Sequence, residues 1–232
     1  ATALAVSKLM STYGFNMHRW KDMAAAFAVV LLPMLFIVAQ KETGSALVYI
    51  SFFLMFYREG MTGSVLFTGV AMVIYFVVGI RYEEALMFDT TTSIGKFAVL
   101  LLVQIFTSGM VYVYCKDKQQ ALTILVYSVG ITLLALLFAV FVIPFDIVWV
   151  QLAVSAGLVG YLVYLWMNRR IKHYLYILLF TIGSIAFFYS ADYVLNNIME
   201  PHQRVRINVL LGLDEDLAGA GYNVHQSEIA IG

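Results

Sequence analysis

Charge is what this sequence has least of. Asp, Glu, Lys and Arg together make up 12% of its 232 residues, about half the share of an ordinary soluble domain. The 14 cations balance the 14 anions, so the formal net charge is zero, and no basic field is available to hold nucleic acid. Cysteine occurs once, at Cys115. A single thiol makes neither an internal disulfide nor a cysteine-based zinc site. No repeat recurs along the chain, and no initiator methionine opens it, so the sequence reads as an internal piece of a longer protein and a signal peptide cannot be assessed.

What the chain has in abundance is apolar side chain, 62% of residues, with a mean hydropathy of +0.87. A soluble fold of this size could not hide so much apolar surface. The expected class is all-α: a polytopic bundle of transmembrane helices.

About 20 apolar residues in a helix cross the hydrocarbon core. Residues 23–39, 61–80, 97–115, 121–143, 147–167 and 174–191 come close to that length, and none of these stretches holds a charge. One charge at a helix centre would cost roughly 2.5–3.5 kcal/mol on an insertion scale, so the absence is informative. A shorter stretch, 45–57, counts as a seventh span if it tilts little, thins the bilayer or borrows flanking residues. Residues 1–10 look like the end of one more helix, giving about seven spans plus a partial helix. Pro33 lies inside the first full span, where a kink is expected and not a break.

Loop cations set the orientation. In the loops between spans, Arg19, Lys21, Arg58, Lys116, Lys118, Arg169, Arg170 and Lys172 fall on one side and Lys41, Arg81 and Lys96 on the other, if every stretch crosses. The first set is then cytoplasmic. The segment 200–232 follows on the outer side as the start of a large extracytoplasmic loop, after a bundle over 1–199. Tyr49, Tyr57, Tyr82, Trp149, Tyr164, Trp166 and Tyr174 sit near span ends, where amphipathic rings meet headgroups.

Several polar groups could carry chemistry, and each has a plainer reading. Gln40, Lys41, Glu42, Thr43 and Gly44 join two apolar stretches and would line a polar cavity, or simply form a solvated turn. Arg204 and Arg206 stand against the positive-inside bias. Two guanidiniums one residue apart suit a phosphate or pyrophosphate, and they also suit anchoring to lipid headgroups. Gly219, Gly221 and Tyr222, then Gln226 and Ser227, make a turn followed by two hydrogen-bonding side chains, without the spacing of a dinucleotide fingerprint. Asp192 and Glu200, eight residues apart, could pair for acid–base work or snorkel at the interface.

Taken together, two of these motifs resemble a known family. Pro201-His202-Gln203-Arg204-Val205-Arg206, followed by Gly219-Ala220-Gly221-Tyr222-Asn223-Val224-His225-Gln226-Ser227-Glu228-Ile229-Ala230-Ile231-Gly232, resembles the outer loop of the RodA-like branch of the SEDS family (shape, elongation, division and sporulation). Gln40-Lys41-Glu42-Thr43-Gly44-Ser45-Ala46-Leu47 is similar to that family's Gln-Pro-Asp-x-Gly-Thr-x-Leu turn, with Lys41 for proline and Glu42 for aspartate, and the order of the motifs agrees. The resemblance implies a bacterial inner-membrane enzyme that polymerises glycan strands from lipid II for cell elongation and shape, partnered by a class B penicillin-binding transpeptidase. It implies a catalytic aspartate beyond Gly232, with Gln40, Glu42, Thr43, Arg204, Arg206, Gln226 and Ser227 in substrate binding. A divalent metal would also serve the pyrophosphate, although no ligand cluster marks one in the sequence. Family members run one span between the short helix and the arginine-bearing loop. Here five fill that interval, so residues 61–167 are expected to be a four-span insertion, whose even number keeps the loop on its original side.

Two other readings compete. A flippase or transporter of a lipid-linked saccharide calls for polar or ionisable residues at mid-membrane, and the spans carry no charge. A non-catalytic scaffold for wall enzymes calls for nothing that the sequence denies.

Overall fold

The computed structural model describes residues 1–39, 48–87, 91–198, 201–210 and 213. It divides into two compact units, Ala1–Ala71 and Met72–Gly232.

The first unit holds α1 (Thr2–Met10), α2 (Trp20–Ala39), α3 (Ser51–Arg58) and the start of α4 (Gly63–Arg81). Gly14, at φ 81°, turns the chain between α1 and α2. The side chains of Asn16 and Asp22 then accept from the backbone N–H groups of His18 and Asn16, at 2.9 and 3.1 Å. Val6, Met17, Ala26, Val30, Phe56 and Met61 form the core, with Phe27 edge-on to Phe53 at 5.2 Å. Pro33 does not break α2, which is one helix from Trp20 to Ala39. The short seventh stretch is different. Its described helix, Ser51–Arg58, has 8 residues and reaches ~12 Å, well short of the ~30 Å core. It is not among the membrane-length helices; residues 45–47 lie outside the described residues.

The second unit takes in the rest of α4, then α5 (Ile94–Cys115), α6 (Lys118–Phe141), α7 (Val148–Arg169) and α8 (Lys172–Tyr193). One π-helical stretch, Val194–Ile198, continues α8, and α9 covers Pro201–Leu210. Tight connections make α5 to α8 antiparallel neighbours. Lys116 and Arg170 end α5 and α7 in the left-handed conformation, at φ 53° and 52°. Asp117 caps α6 by accepting from the Gln120 N–H at 3.1 Å. α5 packs on α6, α7 and α8, and α7 packs on α6 and α8. The proposed insertion 61–167 therefore shares one compact unit with α8, and its first residues belong to the other unit.

Six helices (α2 and α4 to α8) are long and apolar enough to cross a membrane, matching the six long stretches in the sequence. Their surfaces agree. Leu134, Leu137, Phe141 and Val126 of α6 are exposed, as are Leu32, Leu35 and Phe36 of α2, while Gln104, Thr107, Ser128, Thr132, Gln151, Ser155, Thr181 and Ser184 are buried inside the second unit. Apolar outside and hydrogen-bonding inside is the arrangement lipid favours. Thr107 and Thr181 join α5 to α8 at 2.9 Å. Ser108 donates to the Ala121 carbonyl at 2.7 Å, and the Gln151 amide to the Phe97 carbonyl at 3.1 Å. The chain is an all-α, multi-pass membrane protein.

One close approach fixes how α5 meets the turn before it. A Cβ on Gly95 would lie 2.4 Å from the Gly79 carbonyl oxygen and 3.1 Å from the Glu83 nitrogen, both backbone atoms. Gly95→Ala is expected to destabilise by about 1–3 kcal/mol, the usual cost of overpacking. For Gly79→Ala the nearest atoms belong to the Phe188 ring, a side chain that can shift where backbone cannot, so it should cost less. Thermal unfolding of both variants in detergent checks the order; equal midpoints would refute it.

Candidate functional site: a carboxylate pair at one end of the bundle

Charged groups in the second unit gather at the two ends of the helices. At one end, Arg169 pairs with Asp117 at 3.7 Å, and the Tyr174 hydroxyl donates to Asp117 at 3.5 Å. Tyr161 donates to the Gln120 side chain there. The opposite end carries the candidate site.

The turn after α4 is clamped to the start of α5. Gly95 N–H donates to the Tyr82 carbonyl and Ile94 N–H to that of Ala85, each at 2.8 Å. Ser93, which ends the Leu86–Ser93 bridge, donates its hydroxyl to the Glu83 carbonyl at 2.7 Å. Glu83 is thereby held beside the first turn of α5, which carries Lys96. From the other side, Asp192 in the last turn of α8 and Asn196 in the π-helical stretch reach the same place. The Asn196 amide donates to the Glu83 carboxylate at 3.0 Å and to that of Asp192 at 2.9 Å. The Lys96 ammonium stands 3.8 Å from Asp192. Wide π turns recur at functional sites, and this one supplies the residue that bridges both acids.

Burial pushes the Glu83 carboxyl above its ordinary value of 4.5, and the Asp192 charge and a hydrogen bond between the two acids push it further; the Asn196 amide and Lys96 pull it back. Burial and a neighbouring carboxylate thus favour the protonated form of Glu83. The folded protein binds the Glu83 proton more tightly than the unfolded chain does, so this contribution favours folding at low pH and fades as pH rises from the ordinary carboxylate range through the raised value. The unfolding midpoint should fall across that window, and Glu83→Gln should flatten the fall. An unchanged slope in the variant would show that Glu83 does not hold the proton.

Arg204 approaches the same cluster from α9. One of its terminal nitrogens donates to the Asn196 carbonyl. Its Nε is buried with no partner among the described residues. Pro201 suits the first helical position, where its missing N–H costs nothing, and α9 is helical throughout. That bears on the pairing of the two arginines. Positions two apart on a helix sit about 200° apart around its axis and do not share a face. The Arg206 side chain lies outside the described residues.

Of the other residues expected in a site, Gln40, Lys41, Glu42, Thr43, Gly44, Glu200, Gln226 and Ser227 lie outside the described residues. Asp192 has Glu83, Asn196 and Lys96 as neighbours. In the sequence Lys96 serves only to orient a loop; Asn196, four residues from Asp192 at a span end, carries a usable signal of its own. Among the described residues no group of three His, Cys, Asp or Glu is placed to hold a metal. No family model, curated protein or solved structure matches the chain.

Proposed function

We propose that the chain belongs to a SEDS-type peptidoglycan glycosyltransferase of the bacterial inner membrane, acting on lipid II beside a class B penicillin-binding transpeptidase. The motifs at 40–47, 201–206 and 219–232 support this reading from the sequence. The observation that carries it in the structure is Arg204: a guanidinium that donates to the Asn196 carbonyl at the end of a membrane-length helix, with a buried Nε that no described group accepts from. A lipid-linked pyrophosphate presents acceptor oxygens at this level while its polyprenyl tail stays in lipid. Planar donors suit the charge that develops on a departing pyrophosphate. In this reading Lys116, Lys118, Arg169, Arg170 and Lys172 face the cytoplasm, and the cluster around Glu83 and Asp192 faces outward. That relative arrangement does not depend on whether α3 crosses, because each of the helices α5 to α8 reverses the chain once.

Polymerisation of purified lipid II by the full-length protein with its transpeptidase partner tests the proposal. Glycan strands should form with the partner's own activities blocked. No product under those conditions would count for a scaffold.

A second reading, a flippase for a lipid-linked saccharide, draws on the buried polar atoms inside the spans. Gln104 Nε2, Gln151 Oε1 and Ser155 Oγ have no partner among the described residues. The Gln104 donor has a simple resolution. The Thr132 hydroxyl sits 3.4 Å from Gln104 Oε1 but donates to the Ser128 carbonyl at 2.8 Å, so turning the Gln104 amide over lets its NH₂ donate to Thr132. Transport of a labelled lipid-linked disaccharide across proteoliposomes, without polymer, would favour this second reading.

A further inference from the structure

The turn between α7 and α8 leaves positive charge without a counter-charge. Arg169 is taken by Asp117. The next two cations, Arg170 and Lys172, have no carboxylate partner among the described residues. They border a crevice of about 690 Å³, whose remaining walls are Trp166 and Met167 of α7 and Leu175 and Tyr176 of α8. Met167 and Tyr176 are 69% and 61% exposed, so the crevice opens outward along the helix flanks. Both helices are membrane-length, and the crevice lies at their shared end, the level of the headgroups.

Arg170 also holds an unusual backbone. It sits at φ 52° as the residue that ends α7, its N–H donating to the Trp166 carbonyl at 2.9 Å. Glycine is the usual occupant of such a position. An arginine there gives up backbone ease and places a guanidinium at the mouth of the crevice.

We propose that this crevice binds an anionic phospholipid, its phosphodiester held by Arg170 and Lys172 and an acyl chain lying against Met167, Leu175 and Tyr176. Basic pockets between spans, lined with interfacial aromatics, suit that chemistry. A free phosphate would use the cations but leave the apolar walls idle, so the lipid is the better match. The inference is independent of the glycosyl-transfer reading and of which way the protein faces.

The test uses the full chain in phosphatidylcholine nanodiscs with increasing phosphatidylglycerol, and native mass spectrometry counts the lipid retained. Saturable retention of phosphatidylglycerol over phosphatidylcholine is expected. Arg170→Gly keeps the left-handed backbone and Lys172→Gln keeps the helix start, so both should fold. Each is expected to weaken retention about fivefold, and the pair roughly twentyfold, at the usual worth of one interfacial cation. Lys118→Gln, at the same end but outside the crevice, should change nothing. Equal retention of the two lipids, wild-type retention in the double variant, or an equal loss in Lys118→Gln would each overturn the proposal. So would competition by inorganic phosphate at millimolar concentration, because the site would then take the free anion.

Discussion

Arg204→Ala should slow glycan polymerisation from lipid II by about ten- to a hundredfold, while the protein still folds and still binds its transpeptidase partner. The magnitude is that of one charge-assisted hydrogen bond, roughly 1.5–3 kcal/mol, removed from the transition state. The geometry gives Arg204 two tasks that separate on substitution. One terminal nitrogen ties α9 to the Asn196 carbonyl, and the buried Nε is left with a donor to give. Arg204→Lys keeps the charge and can keep the tie, but it lacks the planar fork, so it should recover only part of the rate. Arg204→Gln keeps a donor for Asn196 and loses the charge, and should stay close to Ala. If all three variants polymerise at the wild-type rate, Arg204 is a structural staple and the proposed role fails. If Lys equals wild type while Gln is slow, charge alone matters and the fork does not. Arg206→Ala belongs in a separate arm, because its position lies on another face of α9.

The spans were legible because crossing a bilayer is a property of one stretch of chain at a time. Length and the absence of charge suffice, and no partner need be known. Their ends were less so. α2 begins at Trp20 and includes Lys21 and Asp22, and α7 runs on to Arg169; charges at span ends remain helical because long side chains reach the headgroups. The short stretch 45–57 was admitted on loop parity, and parity cannot measure length. The site was legible only in pieces. Asp192 stands out in the sequence, but only Glu200, by spacing along one helix, offers itself there as a partner, with snorkelling at the interface as the plainer reading. The partner found is Glu83, beside an asparagine 113 positions away in sequence, and no local pattern brings those together. Gln104 and Gln151 were in plain view inside two spans. A reading that counted only charges passed over them, although a buried amide in lipid also needs partners. The arginine pair was read as a loop. Pro201, at the first position of what proves to be a helix, was the overlooked sign.

Removing residues 61–167 from the full-length protein, joining Gly60 to Asn168, should leave the segment after α8 on the side where the intact protein holds it. The block takes out α4, α5, α6 and α7, four membrane-length helices, and an even number restores direction. The readout is all or none: a cysteine at Leu213 either reacts with a membrane-impermeant maleimide in both proteins or in only one of them. The intact protein needs Cys115→Ser for this comparison, and the deletion removes Cys115 by itself. Opposite labelling would mean that one of the four does not cross, whatever the chain does chemically. Polymerisation, if the proposal holds, should not survive as sidedness does. The block supplies Glu83 and Lys96 to the cluster around Asn196, whose carbonyl Arg204 holds, and α5 and α7 are the helices against which α8 packs. Without them Tyr174, Ile177 and Phe188, all buried in the intact unit, would face lipid. Lipid tolerates apolar side chains, so α8 should still insert. What α8 loses is the packing that sets Asp192 and Asn196 in place. Expected activity is therefore no higher than that of Arg204→Ala. A deleted protein that polymerises at the intact rate would make the extra helices a dispensable addition and detach the Glu83 cluster from the chemistry.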